Sequence, residues 1–521
     1  MASANPNSVY LILLCLLPVS VLAQTYKNIT LGSSLTAVLN DNSSWTSPSG
    51  EFAFGFQQIE TGGFVLAIWF DKIPEKTIVW SADGENLVQE GSKVQLTTDG
   101  QFMLIDPKGQ EVWMANLTAT GTVSYAAMLD TGNFVLASQD STNLWESFDQ
   151  PTDTILPTQI LNIGSSLDAR YSETNYSSGR FLMQFQSNGS LVLSTIHFPL
   201  RSPNTDYWSA NANGNGFQVI FNLSGYIYLE AKNKSILSYI ASIGASSNNF
   251  YQRAILEYDG VFRQYVYPKN NSVAAGRPMA WSLLSYVPNN ICTSITTQNT
   301  GSGACGFNSY CIQGDDQRPK CQCPPGYSYL DPDNEMNGCK QAFAPQECDG
   351  GQDADLFDIQ EMPGINWWGG DHEYFNPVSE DWCRQACLTD CFCAVAIVNP
   401  NHDCWMKKIP LSNGVPFNNV GGKALVKVRK DNSATSTANS LKKPKSTLKF
   451  IRTMLFSSLA FLNLVLLIST LWLFLKKKRM LQPHGEIQGI GLRSLTYKEL
   501  EGATNNFKEE LGKGACSTVY K

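Results

Sequence analysis

The sequence predicts a mainly β, multidomain chain carrying one membrane-spanning helix, and three observations predict it. From Gln24 to about Tyr267 the residues are rich in Gly, Asn, Ser, Thr and aromatics, in short alternating runs separated by turn formers. Twelve of the 14 cysteines then crowd into Cys292–Cys404, with Cys15 and Cys516 standing apart. Finally, Met454–Leu475 runs for 22 residues without a charge, long enough at ~1.5 Å per residue to cross a bilayer core.

The β half repeats one local unit four times: Asp99-Gly100-Gln-Phe-Met-Leu, Thr131-Gly132-Asn-Phe-Val-Leu, Asn188-Gly189-Ser-Leu-Val-Leu and Ser224-Gly225-Tyr-Ile-Tyr-Leu. Each joins a turn former and a glycine suited to positive φ to an alternating strand. Tryptophans trail several copies, as at Trp113, Trp145 and Trp208. Hairpins that share an aromatic inner face fit a β-prism or a small barrel. Eight Asn-x-Ser/Thr sequons fall here, at Asn28, Asn42, Asn116, Asn175, Asn188, Asn222, Asn233 and Asn270. In a secreted chain they mark glycan-accessible surface.

A 521-residue chain is too long for one ordinary domain. Its net charge of −7 is mild and dispersed, and nothing in it forms a nucleic-acid surface. Val9–Leu17 is a short apolar core, followed by Pro18 and a small-residue cleavage site at Val21-Leu22-Ala23, the layout of a signal peptide over residues 1–23. An oxidising compartment follows, and the dense cysteine block then reads as a disulfide framework. Asp431–Thr447 is polar and lacks aromatics, as a flexible stalk does; the stalk is set at residues 429–453. Lys476-Lys477-Lys478-Arg479 closes the apolar run as a stop-transfer cluster attracted to anionic lipid. Both flanks are basic, so the cleaved signal peptide sets the orientation: N-terminus outside, and residues 476–507 as the cytoplasmic juxtamembrane strip.

Trp145-Glu-Ser-Phe-Asp-Gln-Pro-Thr-Asp-Thr-Ile-Leu-Pro157 closely resembles the signature joining the lectin-like halves of plant S-domain receptors. The chain is similar to the bulb-type (G-type) lectin family from Gln24 onward. The resemblance implies a β-prism bulb-type lectin domain at 24–153 and a second lectin-like, S-locus region at 154–275. In soluble bulb lectins a Gln-x-Asp-x-Asn-x-Val-x-Tyr strand grips mannose: amide and carboxylate groups take sugar hydroxyls while Val and Tyr pack on the ring. Three strands here align with it and depart from it: Thr97-x-Asp99-x-Gln101-x-Met103-x-Ile105, Leu129-x-Thr131-x-Asn133-x-Val135-x-Ala137 and Gln186-x-Asn188-x-Ser190-x-Val192-x-Ser194. None keeps all three polar grips or the tyrosine. At ~1–3 kcal/mol per lost contact, mannose binding of that kind is not expected.

Cys292-x12-Cys305-x5-Cys311-x9-Cys321-x-Cys323-x15-Cys339, with Pro-Pro-Gly-Tyr after the Cys-x-Cys, looks like an EGF-like module, set at 288–340. The resemblance implies Cys292–Cys311, Cys305–Cys321 and Cys323–Cys339, cross-links of ~3 kcal/mol each in a domain with little core. A zinc site is disfavoured, since no histidine is near and the compartment oxidises. The calcium-binding variant needs acidic residues that Val287-Pro-Asn-Asn-Ile291 lacks. Cys348 and the run Trp382-Cys383-x3-Cys387-x3-Cys391-x-Cys393-x10-Cys404 resemble a PAN/apple domain, set at 348–428. Four-residue steps line Cys383, Cys387 and Cys391 along one side of a helix and its exit. The family pairs are Cys383–Cys404 and Cys387–Cys393. Cys348 is left to meet Cys391, which parity favours and spacing does not establish. His197, His372, His402 and His484 are scattered and read as surface or core residues.

Leu495–Phe507 is similar to the lead-in of plant receptor-like kinases, and Gly512-Lys-Gly514-Ala-Cys-Ser517-Thr-Val519-Tyr-Lys521 resembles their Gly-rich loop. Ser517 replaces the third glycine. The resemblance makes Gly512, Gly514, Ser517 and Val519 the family's ATP-loop contacts, at the start of a kinase domain (508–521) that the sequence does not complete. Hence no catalytic residue, no metal and no cofactor are expected in this chain. ATP and magnesium belong to a complete kinase domain, and Glu509–Lys521, a lone hairpin, should be disordered. The family implied is the S-domain receptor-like serine/threonine kinases of plant defence or recognition. The reading is a single-pass type I plasma-membrane receptor with an unnamed extracellular ligand (carbohydrate, glycoprotein or lipid-like), forming homo- or hetero-oligomers through its ectodomain. A fragment of an active receptor kinase, whose catalytic domain lies beyond residue 521, is the alternative.

Overall fold

The computed structural model describes residues 28–430, apart from 42, 60–61, 198–199, 211–213, 275, 277, 296–300, 349–352 and 417–421, and residues 496–521 apart from 514–516. They fall in two compact units, one up to Thr437 and one from Ala438. The expected signal peptide, nearly all of the stalk, the expected transmembrane run 454–475 and residues 476–495 lie outside the described residues. Among the described residues no helix is long and apolar enough to cross a membrane.

The first β module holds three four-stranded antiparallel sheets. Ser44–Thr46 joins the meander Phe52–Gln58, Phe64–Phe70 and Ile78–Ser81. Ser34–Thr36 joins Lys93–Leu96, Phe102–Ile105 and Glu111–Met114. Ile29–Thr30 joins Tyr125–Met128, Phe134–Ala137 and Asn143–Glu146. Leu66, Phe102 and Phe134, one from each sheet, meet in a single core. Aromatic rings fill it: Trp45 and Phe134 stack on Phe54 at 5.7 and 4.2 Å. Trp80, Trp113 and Trp145 meet edge to face, each pair with centroids 6.0 Å apart, the geometry ring quadrupoles favour.

The second β module repeats that topology strand for strand. Ser166–Arg170, Ile160–Asn162 and Thr154–Ile155 each open a sheet and join, respectively, the meanders beginning at Ser178, Gly216 and Phe250. The last meander ends on Ser282–Val287, registered with Phe262↔Val287, so this module runs past the expected limit at residue 275. Alternation splits the strand Phe250–Leu256 between two cores: Ala254 and Leu256 face the second module, Tyr251 the first.

The six middle hairpins, three per module, share one turn. Gly62, Gly100, Gly132, Gly189, Gly225 and Gly260 each donate their N–H to the carbonyl three residues back, at 2.9–3.1 Å. All six have φ between +75° and +92°. In each a left-handed glycine closes the turn.

The cysteine-rich region packs as two modules with a common sheet. Tyr310–Gln313 pairs with Pro319–Gln322 on one side and with Gly414–Pro416 on the other, and Ile365–Trp367 completes the order. Behind it a five-stranded sheet carries the helix Glu380–Thr389, whose N-terminus is capped by Ser379 accepting from the Trp382 N–H. Alternation again divides the sheet: Val395, Ile397, Val426 and Val428 face the first cysteine module, while Ala396, Val398 and Leu425 lie under the helix with its cystines.

In the second unit, the Glu499 carboxylate accepts from Thr496 N and Oγ1 at 2.8 and 2.9 Å, starting the helix Tyr497–Ala503. Glu510–Lys513 and Thr518–Tyr520 form an antiparallel hairpin, with Gly512 opposite Val519. The expected disorder of Glu509–Lys521 is thereby corrected. Phe507 packs between Tyr497 and Tyr520 at 5.9 and 5.2 Å, giving the hairpin an apolar partner outside itself.

Candidate functional site

The three strands aligned with the sugar-binding pattern meet different fates. Asp99 and Gln101 are exposed beside a surface pocket of about 260 Å³. Asn133 is buried and its amide is committed inward: Nδ2 donates to Glu146 Oε2 at 2.6 Å, and Oδ1 accepts from Ser147 Oγ and Phe148 N, both at 3.1 Å. Ser190 and Ser194 are buried, and Asn188 Oδ1 accepts from Ser190 N at 2.9 Å. The Asn133 amide of the second strand is thus committed to its own hairpin, while in the third strand Asn188 is exposed and Gln186 half-buried.

The same bonds explain the segment Trp145–Pro157. Trp145 fills the first core, Glu146, Ser147 and Phe148 cap Asn133, and the Gln150 carbonyl accepts from Trp80 Nε1 at 2.7 Å. Asp153 pairs with Arg170 at 2.6 Å. Thr154–Ile155 then starts the second module by pairing with Ala254–Ile255. The signature is a connector that locks one module onto the next.

Where the modules meet, a cleft of about 390 Å³ opens. Its walls come from Gln57–Ile59 and Glu75–Ile78 of the first module, Arg170, Glu173, Tyr176, Arg253 and Tyr258 of the second, and Arg318 of the first cysteine module. Most of its charges are spoken for. Lys76 bonds Asp71 at 2.8 Å, Arg170 bonds Asp153, and Arg318 bonds Glu257 at 2.9 Å and Asp259 at 3.2 Å. Arg263, 1% exposed, completes that buried network with Glu257 at 2.5 Å and Asp259 at 2.7 Å. Burial pushes the Asp259 carboxyl upward against the pull of Arg263.

Arg253 differs. Among the described residues it is the one basic group of the cleft without an ion pair or hydrogen bond, and its Nε is buried without a partner. It lies over Trp281 at 4.9 Å and Tyr265 at 5.4 Å. Trp281 Nε1 is held by Thr77 Oγ1 at 2.8 Å. Burial lowers the pKa of this guanidinium, and neighbouring Arg170 lowers it further. Sequence reasoning passed over Arg253, because within an alternating strand a lone arginine reads as solvent-facing.

The structure joins Cys292 to Cys311, Cys305 to Cys321, Cys323 to Cys339, Cys348 to Cys391, Cys383 to Cys404 and Cys387 to Cys393. Of the sequon asparagines, Asn42 lies outside the described residues. Asn28, Asn116, Asn175, Asn188, Asn233 and Asn270 are exposed, while Asn222 is half-buried and its side-chain oxygen accepts from Ser224 N and Tyr226 N. In the expected ATP loop Gly514 lies outside the described residues. Gly512 is exposed with open space around it, Ser517 and Val519 are exposed, and among the described residues they face no assembled site.

The D-mannose binding lectin family matches residues 77–178, from within the first module across the connector and into the second. The G-type lectin S-receptor-like serine/threonine-protein kinase LECRK3 of Oryza sativa subsp. indica is 41% identical over 524 residues, 96% of this chain and 64% of its own length. The Arabidopsis thaliana kinase RLK1 of the same description is 36% identical, covering all of this chain and 66% of its own length. The chain is a homologue of the G-type lectin S-receptor-like kinases. It spans about two thirds of the length of these receptor-kinase relatives. Among solved structures, a monomeric mannose-binding lectin from Gastrodia elata is 16% identical over 27% of this chain and 99% of its own, at a TM-score of 0.19, too low to carry an argument.

Proposed function

We propose that this chain is the ligand-capturing and anchoring part of a single-pass plasma-membrane receptor of the G-type lectin class, serving defence or recognition signalling. The observation that carries the reading is 41% identity along 96% of the chain to a receptor-like kinase. The apolar runs at residues 9–17 and 454–475, the stop-transfer cluster and the cystine-rich ectodomain support it. On this reading residues 288–340 are an EGF-like module, residues 348–428 a PAN/apple module, and the eight sequons carry glycans. The ligand is an extracellular carbohydrate, glycoprotein or lipid-like molecule. A homo- or hetero-oligomer through the ectodomain is part of the proposal.

Kinase activity, named in the relatives' descriptions, is proposed only for a product that continues past Lys521. Gly512, Gly514, Ser517 and Val519 would then sit over ATP phosphates, where glycine lets backbone amides come close. Sequencing the transcript past codon 521 tests this: an open frame carrying a kinase catalytic segment supports it, and an immediate stop ends it.

The membrane reading is tested in plant cells with one tag inserted just after the expected cleavage site at Ala23 and another at the C-terminus. Surface protease should remove the N-terminal tag and leave the C-terminal one, and enzymatic deglycosylation should shrink the chain. Protection of the N-terminal tag in intact cells, or an unchanged mass, would overturn the proposed orientation.

A further inference from the structure

We propose that the cleft between the two β modules is a binding site for an acidic saccharide, with Arg253 receiving the carboxylate of a uronic acid. The proposal deepens the receptor reading and rests on it only for the cleft being extracellular.

Arg253 supplies the first half of the argument. Lys76, Arg170 and Arg318 already hold carboxylates at 2.6–3.2 Å. The Arg253 guanidinium is held by ring faces alone, which fix its plane and leave its donors unused. A planar fork of N–H groups, fixed in direction and poorly hydrated, is matched by a carboxylate in bidentate contact. An unpaired cation facing a cavity has a cost that such a ligand relieves.

The rest of the cleft supplies the second half. Of the four basic groups that line it, Arg253 is the one that no carboxylate bonds among the described residues, so a monoanion is what it lacks. Glu75 and Glu173 stand exposed at the rim. They would repel a bare inorganic anion but can accept from hydroxyl groups, and Gln57 can both donate and accept. Tyr258 offers a half-buried ring for the apolar face of a sugar. A volume of about 390 Å³ falls within the ~300–1,000 Å³ of small-ligand sites. One carboxylate, several hydroxyls and an apolar ring face together describe a uronate.

The test uses the full chain in detergent micelles, with methyl α-D-galacturonoside as probe. Methyl α-D-galactoside, the same ring without the carboxylate, and acetate, the carboxylate without the ring, are the comparison arms. Calorimetry or ligand-observed NMR should show saturable binding of the uronoside, with the galactoside and acetate each weaker by about tenfold or more. Arg253→Gln should weaken the uronoside by about tenfold in protein that still folds, because in the free protein Arg253 holds no ion pair or hydrogen bond, only the ring faces of Trp281 and Tyr265. Equal binding of uronoside and galactoside, equal affinity in Arg253→Gln, or no uronoside binding by folded protein overturns the site; none of these touches the evidence for a membrane receptor. Should Arg253→Gln fail to fold, Gln57→Ala on the cleft wall, which removes a donor and an acceptor for the sugar hydroxyls, replaces it. A loss of affinity there supports the proposal, and unchanged affinity overturns it.

Discussion

The two β modules share every strand connection and differ in what closes them. The first is sealed by its own rings: Trp45, Phe54, Phe102 and Phe134 form a stack, and Trp80, Trp113 and Trp145 a triad, without a cystine among them. The second is sealed from outside. Its core continues into Ile291, Cys292, Cys305, Cys311 and Cys321 of the adjoining cysteine module. The buried set Glu257, Asp259, Arg263 and Arg318 ties the same two parts together. The same topology can therefore be stabilised by ring packing in one copy and by cross-linking plus buried ion pairs in the other. The second copy gives up self-sufficiency, and an oxidised neighbour becomes part of its fold.

The largest effects should come from what the modules share. A Cβ at Gly132 would lie 2.4 Å from Leu156 Cδ1 and 2.9 Å from Phe52 Cε1, and one at Gly260 2.4 Å from Phe181 Cδ1, with φ of +88° and +81°. Gly132→Ala and Gly260→Ala should each cost ~2–5 kcal/mol, combining left-handed strain with overpacking. Gly109 has φ of +83° but nothing within 4 Å, so Gly109→Ala should cost only ~1–2 kcal/mol. Denaturant titration of the three variants checks the ranking. A Gly109→Ala cost equal to the others would show that strain alone decides.

Next comes one of the two cystines that belong to the second module's core. Replacing Cys292 and Cys311 together by alanine should cost ~2–4 kcal/mol. Hydrogen exchange should show the loss in the second module's strand Ser178–Phe185 and leave the first module's Phe64–Phe70 protected. Equal loss of protection in both strands would mean that the modules unfold as one body.

Removing a polar hub of the first module should cost less. Asn133→Ala leaves Glu146, Ser147 and Phe148 N without their shared partner, a loss of ~1–3 kcal/mol. Faster exchange should centre on Phe134–Phe148. If thermal denaturation finds no change, the connector is held by Trp145 packing and the Asn133 bonds are incidental.

What the sequence disclosed follows from how local each signal is. Four of the six glycine turns were legible because a turn former, a glycine and an alternating strand sit within six residues. Gly62 was missed beside a second glycine, and Gly260 because Asp259-Gly260-Val261-Phe262 follows the other copies only in part. The strand Ser282–Val287 was missed because its partner, Phe262–Pro268, lies across an intervening loop and short helix. The lost sugar pattern was legible as missing residue types, but the inward commitment of Asn133 was not, since it depends on Glu146 and Ser147 folding back. Arg253 lay furthest from reach. Its environment is made by Thr77, Trp281 and Arg170, residues from three separate segments, and only packing of the two modules turns a strand arginine into the floor of a cleft.

The narrowest effect, confined to one pH window, is a pH dependence, and it falls in the second cysteine module. Lys427 is 3% exposed, and its Nζ donates to the carbonyls of Cys387 at 2.8 Å and Asp390 at 2.7 Å. It lies 5.5 Å from the Phe357 ring centroid. Burial lowers its pKa from 10.5 to about 8, partly offset by the Asp390 carboxylate, which itself stands 3.5 Å from His372. Between about pH 8 and pH 10.5 the unfolded chain keeps this proton and the folded chain has released it. Stability must therefore rise with pH across that window. The contribution is complete above about pH 10.5 and is lost as pH falls through about 8. Lys427→Met, which keeps the aliphatic stem and removes the titrating group, should flatten that slope relative to the parent protein. Since other lysines and tyrosines titrate nearby in pH, the measured quantity is the difference between the two proteins' unfolding free energies at pH 7 and pH 10. Parallel curves would mean that Lys427 keeps its proton in the fold, held by the two carbonyls against the cost of burial.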